Sequence, residues 1–600
     1  DRFELDAMQG KIDEIEVTPL NHEEIKQIAF YLLNEALPSE KVERLQKMTG
    51  GNPFFLLEIL GFQASRPDVD IFEDFVAVPP SVRQLIRARL DILSPNTRKV
   101  INYAAIQGNH FVLSTLEEVL EISLEEMHDV VSELTDMRLV CFVKKDIDLE
   151  YAFVHEKLRE EVVNSLSPVD LRVMHARLAK VLSKKNIYRD ELAAVLAEHH
   201  ESAGELPEAF FAWYAAAKHA YGIFSPRDAQ AAYKRAKKLL SHINLKDEEI
   251  YDFYLSWQMM LFYTDNPDSL EVVMQGLLVF AQRRGSRFLI GAALDGLSDV
   301  CMARNQFQSG LEYVEDALPY LIMEAQIPAQ MNAYIHQGVF QYMLKNFPDS
   351  LESFRTVLSL GDGQSNPHSM YALGHAHYQM AAGLTAMGYP AKALEEAQRS
   401  IHYMRLSLEP HSLVLPHSIM GMANQYLGEY AEGKKYALKS LDLAKRTDNW
   451  RMFGYAAAYA GMNESELPEL GLAWQHAQDA IHDGEKYGHA EIISMGYKII
   501  GDIFARLEAP LKAVEAYKRG LEVDRDSFMT AENAARLGVT LGLLGDPNAD
   551  ALLAEALAGA SAAGVEGIEF NARALQLRLF IERKDYDAFD ANRETIRSTI

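Results

Sequence analysis

The sequence has only two cysteines among its 600 residues, Cys141 and Cys301, and they lie far apart. A disulfide framework needs several paired cysteines, and a thiolate metal site needs clustered ones. We therefore expect neither kind of site, and a reducing cytoplasm is the compartment that fits this composition best.

Positive charge is also scarce. Lys and Arg number 59 against 86 Asp and Glu, which gives a net charge of −27. Because nucleic-acid-binding surfaces need clustered Lys and Arg, this balance argues against a large one. The apolar runs are also shorter than the roughly 18 residues of a membrane helix, so no membrane partner is expected. The chain starts DRFELDAMQG, without an initiator Met or a signal peptide, so we expect it to be part of a longer protein.

The sequence contains no complete phosphate-binding loop. The segment GEYAEGKK (428–435) approaches one, but Lys435 stands where a Ser or Thr would hold magnesium, and a helix rather than a strand precedes it. A G-x-x-x-x-G-K-[ST] motif and an acidic magnesium-binding strand are missing from the chain. We therefore expect no ATP hydrolysis by this chain and no cofactor of its own.

Histidine patterns that could suggest a metal site are incomplete. HEKLR (155–159) has the first half of a zinc motif, but Arg159 takes the place of the second ligand. His375 and His377 would diverge on a helix, as would the adjacent His199 and His200, so neither pair could chelate one ion. No metal is expected, and no catalytic Ser/His/Asp or Cys/His arrangement is recognisable.

The first part of the chain divides into three predicted regions. KIDEIEVT, at the end of region 1–18, predicts one strand over 11–18, because Ile15 and Val17 alternate with acidic residues. Region 19–78 predicts helices over 22–34, 39–48 and 53–62 and then a connector, and Asn21 with Glu24 has the spacing of a capping box. Region 79–187 predicts further helices and, in RLVCFVKKDIDLEYAF, a β-hairpin. Three helices followed by a hairpin is the layout of a winged helix.

From 188 to 600 the sequence becomes periodic. The segments FQSGLEYVEDAL (307–318), FPDSLESFRTVL (347–358) and YAEGKKYALKSL (430–441) each follow a turn signal and end in Leu. Helices rich in small residues lie between such segments. A helical hairpin of roughly 40 residues, repeated nine or ten times, predicts an α-solenoid of the tetratricopeptide type. The predicted fold class is therefore all-α dominated, with a helical lid and a winged helix before the solenoid.

The inner helices of this solenoid carry aromatic and histidine residues that could form a ligand or partner surface, because superhelical arrays bind peptides or small ligands on their concave face. The alternative is that these residues form the cores of the hairpins, and for most of them we favour it. The candidates are Tyr254, Trp257, Tyr334, His336, Phe340, Tyr371, Tyr378 and Tyr426.

Three segments up to about residue 190 resemble the distal half of STAND-type signalling ATPases, the family of the maltose-regulon activator and LuxR-type ATPase regulators. IEVTPLNHEEIKQIA resembles the last strand of the ATPase core entering its lid. TGGNPFFLLEIL (49–60) resembles the lid motif G-N-P-F-F. LEYAFVHEKLREEVVNSLSPVDLRVMHARLAKVL resembles the end of the winged helix and the helix that leads to the repeats. The order of lid, winged helix and repeats is also that of the family.

The resemblance implies two nucleotide contacts in a longer protein. Pro53 would pack on the adenine of ATP or ADP, and His155 would reach the phosphates in the closed state. Magnesium would accompany the nucleotide in the missing core. The structural alternative is that Pro53 only starts a helix and that His155 only caps one.

Two functions remain open. The chain is the sensor portion of a STAND-type ATPase, with repeats that bind a small-molecule inducer, a peptide or a protein, or it is a tetratricopeptide scaffold without nucleotide coupling. Direct DNA contact is disfavoured, because LEEMHDVVSELTDM (124–137), the expected recognition helix, carries five acidic residues and no Lys.

Overall fold

The computed structural model describes residues 18–65, 82–145, 148–184, 192–223, 225–264, 266–344, 346–407, 410–447, 449–524, 528–562 and 566–599. The chain divides into two compact units. Unit 1 is Asp1–Ala216 with Arg235–Ile243, and unit 2 is Ala217–Lys234 with Asn244–Ile600. Among the described residues, no helix is both long enough and apolar enough to cross a membrane.

Unit 1 begins with three helices: α1 (His22–Leu33), α2 (Ser39–Thr49) and α3 (Pro53–Ser65). The predicted capping box is confirmed, because the Asn21 side chain accepts from the Glu23 and Glu24 N–H groups and the Glu24 carboxylate accepts from the Asn21 N–H. Apolar residues from the three helices form one small core that includes Ile25, Leu45 and Leu60. All but the last residue of the predicted strand 11–18 lies outside the described residues.

A second helical group follows in unit 1, and a three-stranded antiparallel sheet lies within it. The sheet has the order β1-β3-β2, so the predicted hairpin of β2 and β3 is confirmed. Strand β1 was not predicted, because three residues are too few to show an alternating pattern. Assignment of this group as a winged helix stays a prediction. Its elements are α4 (Val82–Asp91), α5 (Pro95–Gln107), β1 (His110–Val112), α6 (Leu113–Leu120), α7 (Leu124–Asp136), β2 (Val140–Lys145), β3 (Leu149–Phe153), α8 (Glu156–Asn164) and α9 (Pro168–Lys184).

Three helices, α10 (Ala193–Ala203), α11 (Leu206–Gly222) and α12 (Pro226–Leu239), then lead to nine helical hairpins in the described part of unit 2. The first helices of the first four hairpins begin 40 residues apart, at 247, 287, 327 and 367, so the predicted solenoid of roughly 40-residue hairpins is confirmed. The hairpins are α13 (Asp247–Tyr263) with α14 (Pro267–Arg284), α15 (Arg287–Ala303) with α16 (Phe307–Met323), α17 (Ile327–Met343) with α18 (Phe347–Leu360), α19 (Pro367–Ala386) with α20 (Pro390–Leu406), α21 (Val414–Tyr426) with α22 (Tyr430–Arg446), α23 (Trp450–Ser465) with α24 (Leu470–Tyr487), α25 (Ala490–Arg506) with α26 (Pro510–Val523), α27 (Phe528–Leu543) with α28 (Ala549–Ala562), and α29 (Glu566–Glu582) with α30 (Tyr586–Thr599).

Glycine and alanine let neighbouring helices of the array approach closely. A Cβ added at Gly338, in the middle of α17, would lie 2.6 Å from the ring of Phe354 on α18. The Phe354 ring is buried, and the Ser350 hydroxyl donates to the Gly338 carbonyl at 2.8 Å, so neither helix can easily withdraw. Small residues at such contacts explain why the helices between the repeated segments are rich in Gly and Ala.

Helices that are several hairpins apart also meet. The Tyr263 hydroxyl on α13 hydrogen-bonds to the Tyr371 hydroxyl on α19, and the Tyr426 hydroxyl on α21 donates to Glu532 on α27 at 2.9 Å. Each of these pairs spans three hairpins. At Gly567, near the start of α29, an added Cβ would lie 2.9 Å from the Ala386 carbonyl oxygen at the end of α19. The first helices of the hairpins therefore face a common interior.

Replacing Gly338 by Ala should destabilise unit 2, because the new methyl group must displace the buried Phe354 ring. We expect an overpacking cost of about 1–3 kcal/mol, partly offset by about 1 kcal/mol from the better helix propensity of Ala. The matched control is Gly383→Ala on α19, where an added Cβ meets nothing within 4 Å. Urea unfolding should show opposite signs for the two variants, and stabilisation by both would contradict the packing account.

Candidate functional site

Pro53 lies at the start of α3, directly after a tight turn. Gly50 and Gly51 both have positive φ, +60° and +73°. A Cβ at Gly51 would lie 2.7 Å from the Leu20 carbonyl oxygen, and the Leu20 N–H donates to the Gly51 carbonyl at 2.7 Å. Only glycine fits there, and the turn fixes the Pro53 ring at an exposed position.

His155 is the N-cap of α8. Its Nδ1 accepts from the Lys157 N–H at 3.1 Å, so the neutral ring carries its proton on Nε2. The residues on either side, Phe153 and Leu158, belong to the core of the second helical group, whereas α3 after Pro53 belongs to the first core. The structure thus shows the local geometry of each predicted nucleotide contact, and the nucleotide role of both residues stays a prediction.

Side chains in the incomplete phosphate-loop and metal motifs contact other side chains of the repeats. Lys434, in the segment that resembles a phosphate loop, lies 3.7 Å from Glu464 and 3.6 Å from Glu469. His377 contacts Glu396 at 2.6 Å, whereas His375 stacks on Tyr378, so the two histidines diverge. Within the described residues, no group of three or more potential metal ligands is found.

His199 and His200 also point to different neighbours. The Nδ1 of His199 lies 2.8 Å from the Nδ1 of His175, and the Nδ1 of His200 lies 2.7 Å from Glu205. Burial, helped by the charges of His175 and His200, lowers the pKa of His199 to about 4. His199 is therefore neutral at physiological pH and acts as a core residue.

Two of the predicted surface aromatics, Tyr254 and Trp257 on α13, are buried, with 2% and 1% of their surface exposed. The Trp257 ring stacks on Tyr233 with 5.4 Å between centroids, and Phe253 packs against its edge. Burial raises the pKa of Tyr254 well above its usual value. This environment is what the alternative interpretation, a hairpin core, expects for both residues.

Phe340 and Tyr334, both on α17, also contribute to packing. The ring of Phe340 is 1% exposed and fills the space above Gly310. Tyr334 is half-buried and packs against the apolar cluster that contains Met331 and Phe354.

The structure brings Tyr371 and Tyr378 together with His375 on α19. The His375 ring lies between them, with centroids 5.8 Å from Tyr371 and 5.7 Å from Tyr378. Burial, helped by the charge of His336, lowers the pKa of His375 to about 3, so this imidazole is neutral. The three rings form an aromatic ladder along one face of the helix.

His336 on α17 is held between two carboxylates of α15. Its Nδ1 lies 2.8 Å from Asp295 and its Nε2 lies 3.2 Å from Asp299. Asn332 donates to Asp295 and Gln258 donates to Asp299, each at 2.8 Å. Burial opposes the charged form, but the two carboxylates outweigh it and raise the pKa of His336 to about 9. His336 is therefore a cation at neutral pH.

A second charged network joins α25 and α27. Lys498, 1% exposed, lies 3.4 Å from Asp502 and 3.5 Å from Glu532, and the Arg536 Nε lies 2.9 Å from Asp502. Tyr517 donates to Asp502 at 2.7 Å. Burial opposes both carboxylate charges, yet the two cations hold the pKa of Asp502 and of Glu532 below the usual values.

Between these two networks lies a cluster centred on Glu491, in the first turn of α25. The Tyr455 hydroxyl on α23 donates to Glu491 at 2.8 Å, and the Tyr455 and Tyr459 rings stack with centroids 6.4 Å apart. Burial raises the pKa of Tyr342 and of Tyr378, and the charge of Glu491 contributes in both cases. Glu491 is thus close enough to act on tyrosines from α17, α19 and α23.

The surrounding protein raises the pKa values of these side chains. Each side chain is nevertheless only half-buried, which holds for Tyr342, Tyr378, Tyr455, Tyr459 and Glu491. They therefore line an interior space that solvent reaches. We call this set the tyrosine cluster. It is the candidate functional site, because it combines aromatic faces, hydroxyl groups and a carboxylate from four different hairpins.

Glu491, Tyr342, Tyr455 and Tyr459 were not among the residues predicted from the sequence. One signal was present: Glu491, Lys498 and Asp502 follow the spacing i, i+7, i+11 and so share one face of an otherwise apolar helix, AEIISMGYKIIGDIFAR. A row of charged residues on an inner helix indicates that this face is in contact with other polar groups or with a ligand rather than with the apolar core.

No family model matches the chain. No curated protein matches it either. The structure is similar to that of a STAND protein with a tetratricopeptide repeat sensor from Pyrococcus horikoshii, with 15% identity, a TM-score of 0.45, and coverage of 90% of this chain and 72% of that chain.

Two further solved structures resemble the repeats. A Rap protein complexed with competence and sporulation factor has 13% identity and a TM-score of 0.43, covering 66% of this chain and 97% of that one. Aspartyl phosphate phosphatase F from Bacillus subtilis has 13% identity and a TM-score of 0.37, covering 66% and 94%. At such low identities each similarity concerns the fold alone.

We call His336 with Asp295 and Asp299 the His336 clamp, and this clamp predicts a pH dependence of stability. The folded pKa of about 9 lies above the ordinary 6.5, so the contribution of the imidazolium is complete below pH 6.5 and is lost as pH rises through 9. We expect the free energy of unfolding to fall over this window by up to about 3 kcal/mol relative to His336→Gln, at 1.36 kcal/mol per pKa unit. Denaturant titrations at several pH values measure the difference, and parallel curves for the two proteins would refute the clamp.

Proposed function

We propose that this chain is the sensor and regulatory portion of a STAND-type signal-transduction ATPase. In this proposal the interior of the repeat array binds a peptide or a segment of a partner protein. The lid helices α1–α3 and the predicted winged helix transmit that binding to a nucleotide core elsewhere in a longer protein. ATP or ADP with magnesium belongs to that core, and the present chain supplies no catalytic group.

The tyrosine cluster supports the binding half of the proposal. A peptide presents amide groups and side chains along an extended line, and it needs hydrogen-bonding groups and apolar faces at intervals along that line. Tyrosine offers a rigid ring and a hydroxyl at a low entropic cost, which suits recognition of varied side chains. The two carboxylates around His336, the tyrosine cluster and the network of Lys498 provide such groups on several hairpins along the array.

The geometry of unit 1 supports the switch half. The double-glycine turn exposes Pro53 at a fixed position, and an exposed proline ring offers a flat apolar surface to a base. Because Nδ1 of His155 accepts the N-cap bond, the proton of the neutral ring is on Nε2, and an imidazole N–H is the kind of donor that suits a phosphate oxygen. A ligand in the repeats would then have to favour one of two arrangements of the lid and the nucleotide core.

The second candidate function is a repeat scaffold without nucleotide coupling. It would use the same interior surface, so binding studies alone cannot separate the two functions. The gene sequence upstream of Asp1 can distinguish the two functions. A phosphate-binding loop and an acidic magnesium-binding strand there are expected for the switch, and their absence would leave the scaffold.

Peptide binding can be tested with this chain alone. We expect a displayed library of short random peptides to yield binders of the wild-type chain that a double Tyr378→Ala/Tyr455→Ala variant fails to retain. Tyr389→Ala is the matched control, because Tyr389 is 47% exposed and precedes the outer helix α20. Equal retention by all three proteins, or selection of no binder at all, would overturn the interior as the ligand site.

The switch can be tested at His155 in the longer protein. Both His155→Ala and His155→Asn should weaken ADP binding and raise basal activity, because the imidazole donor to the phosphates is lost. Asn keeps the N-cap acceptor, so this variant separates the nucleotide contact from the helix cap. Isothermal titration with ADP measures the effect, and wild-type affinity in His155→Asn would disprove the assignment.

A further inference from the structure

Glu491 differs from the other carboxylates of the repeat interior in its partners. Asp295 and Asp299 share the His336 cation, and Asp502 and Glu532 share Lys498 and Arg536. Among the described residues, the side chain paired with Glu491 is the Tyr455 hydroxyl, and no basic side chain pairs with it. The nearby charge that acts on it is that of Asp524, another acid.

Such a carboxylate is costly for the fold. Removing a charge from water without a counter-charge is unfavourable, and buried charges in proteins are normally paired. Glu491 lies in the first turn of α25, where the helix dipole favours a negative charge. This stabilisation is typically no more than about 1 kcal/mol, which is less than the cost of burying an unpaired charge. Burial accordingly raises the pKa of Glu491, and Asp524 adds to the shift.

The surroundings of Glu491 supply what a cation needs. The Tyr455 and Tyr459 rings stack beside it, and the Tyr378 and Tyr342 side chains come within reach of its charge from the two helices α19 and α17. Aromatic faces attract cations through their quadrupole, most strongly where water is excluded. A carboxylate at the edge of these rings would neutralise the bound charge.

We propose that Glu491 and the surrounding tyrosines form a binding site for an organic cation, the ammonium or guanidinium group of a peptide ligand. This inference deepens the proposed function and rests on it for the identity of the ligand. The cation pairs with Glu491, the carboxylate of the tyrosine cluster, which has no basic partner among the described residues. The ligand is thereby expected to carry Lys, Arg or a free amino terminus at the position that enters the cluster.

The test uses small probes, so that it does not depend on finding a peptide. Nα-acetyl-lysine methylamide carries the cation, and Nα-acetyl-norleucine methylamide has a side chain of similar shape without the charge. Titrations followed by NMR should show at least tenfold weaker binding of the norleucine probe to the wild-type chain. Nα-acetyl-arginine methylamide carries only a guanidinium, and norleucine methylamide with a free α-amino group carries only an amino terminus. These two probes distinguish both groups from the lysine side chain.

Glu491→Gln removes the charge and keeps an acceptor for Tyr455. We expect it to lose at least tenfold in affinity for the lysine probe. Glu485→Gln on α24 is the matched control, because Glu485 is exposed and should not affect binding. Equal affinity of the lysine and norleucine probes, undiminished binding by Glu491→Gln, or no binding at millimolar concentrations would overturn the proposal.

A second readout does not involve a ligand. A carboxyl whose folded pKa is raised favours folding below its ordinary pKa of 4.5 and opposes it at higher pH. Glu491→Gln should therefore raise the melting temperature at pH 8, whereas a purely structural Glu491 would give a lower one. Peptide binders without a cation preference would leave the proposed function standing and refute the cation site.

Discussion

Each helical hairpin of the repeat region can bury its apolar face only against the hairpins beside it. Because the helices must approach closely, this constraint determines which positions are occupied by glycine and alanine. Gly338 packs against the Phe354 ring in this way, and Gly310 packs against the Phe340 ring. It also brings helices three hairpins apart into contact at the interior, where Tyr263 meets Tyr371 and Tyr426 meets Glu532. Close packing between neighbours thus creates an interior surface that no single hairpin defines.

Polar groups on that surface must find partners inside the protein or from a ligand. Two sets of carboxylates have internal cations: Asp295 and Asp299 have His336, and Asp502 and Glu532 have Lys498 and Arg536. Compared with apolar residues of the same volume, such pairs contribute little net stability. Loss of one partner is costly, however, because it leaves a buried charge, and the pairs therefore fix the positions of their helices. Glu491 lies between the two networks with tyrosine neighbours. This contrast is the reason to regard the tyrosine cluster as a place for a ligand rather than as a further structural contact.

Local features could be predicted from the sequence, and long-range ones could not. The capping box of Asn21 and Glu24, the β2–β3 hairpin and the period of about 40 residues each depend on neighbouring residues. The three-residue strand β1 depends on pairing with β3, which begins 37 positions after it ends (112 to 149). Trp257 and Tyr378 look alike in the sequence, but the first is buried in a hairpin core and the second lines the interior. Trp257 lies on α13 and Tyr378 on α19, each the first helix of its hairpin, and only the packing of the hairpins decides which face of such a helix is core.

The central claim is that the tyrosine cluster accepts a cation in the interior of the repeat array. Anomalous diffraction from crystals of this chain soaked with tetramethylarsonium measures it most directly, because the arsenic atom marks the position of a quaternary cation. We predict one strong anomalous peak among Tyr378, Tyr455 and Glu491. A peak only on the outer helices, or beside Asp502 and Glu532 with the tyrosine cluster empty, would contradict the account.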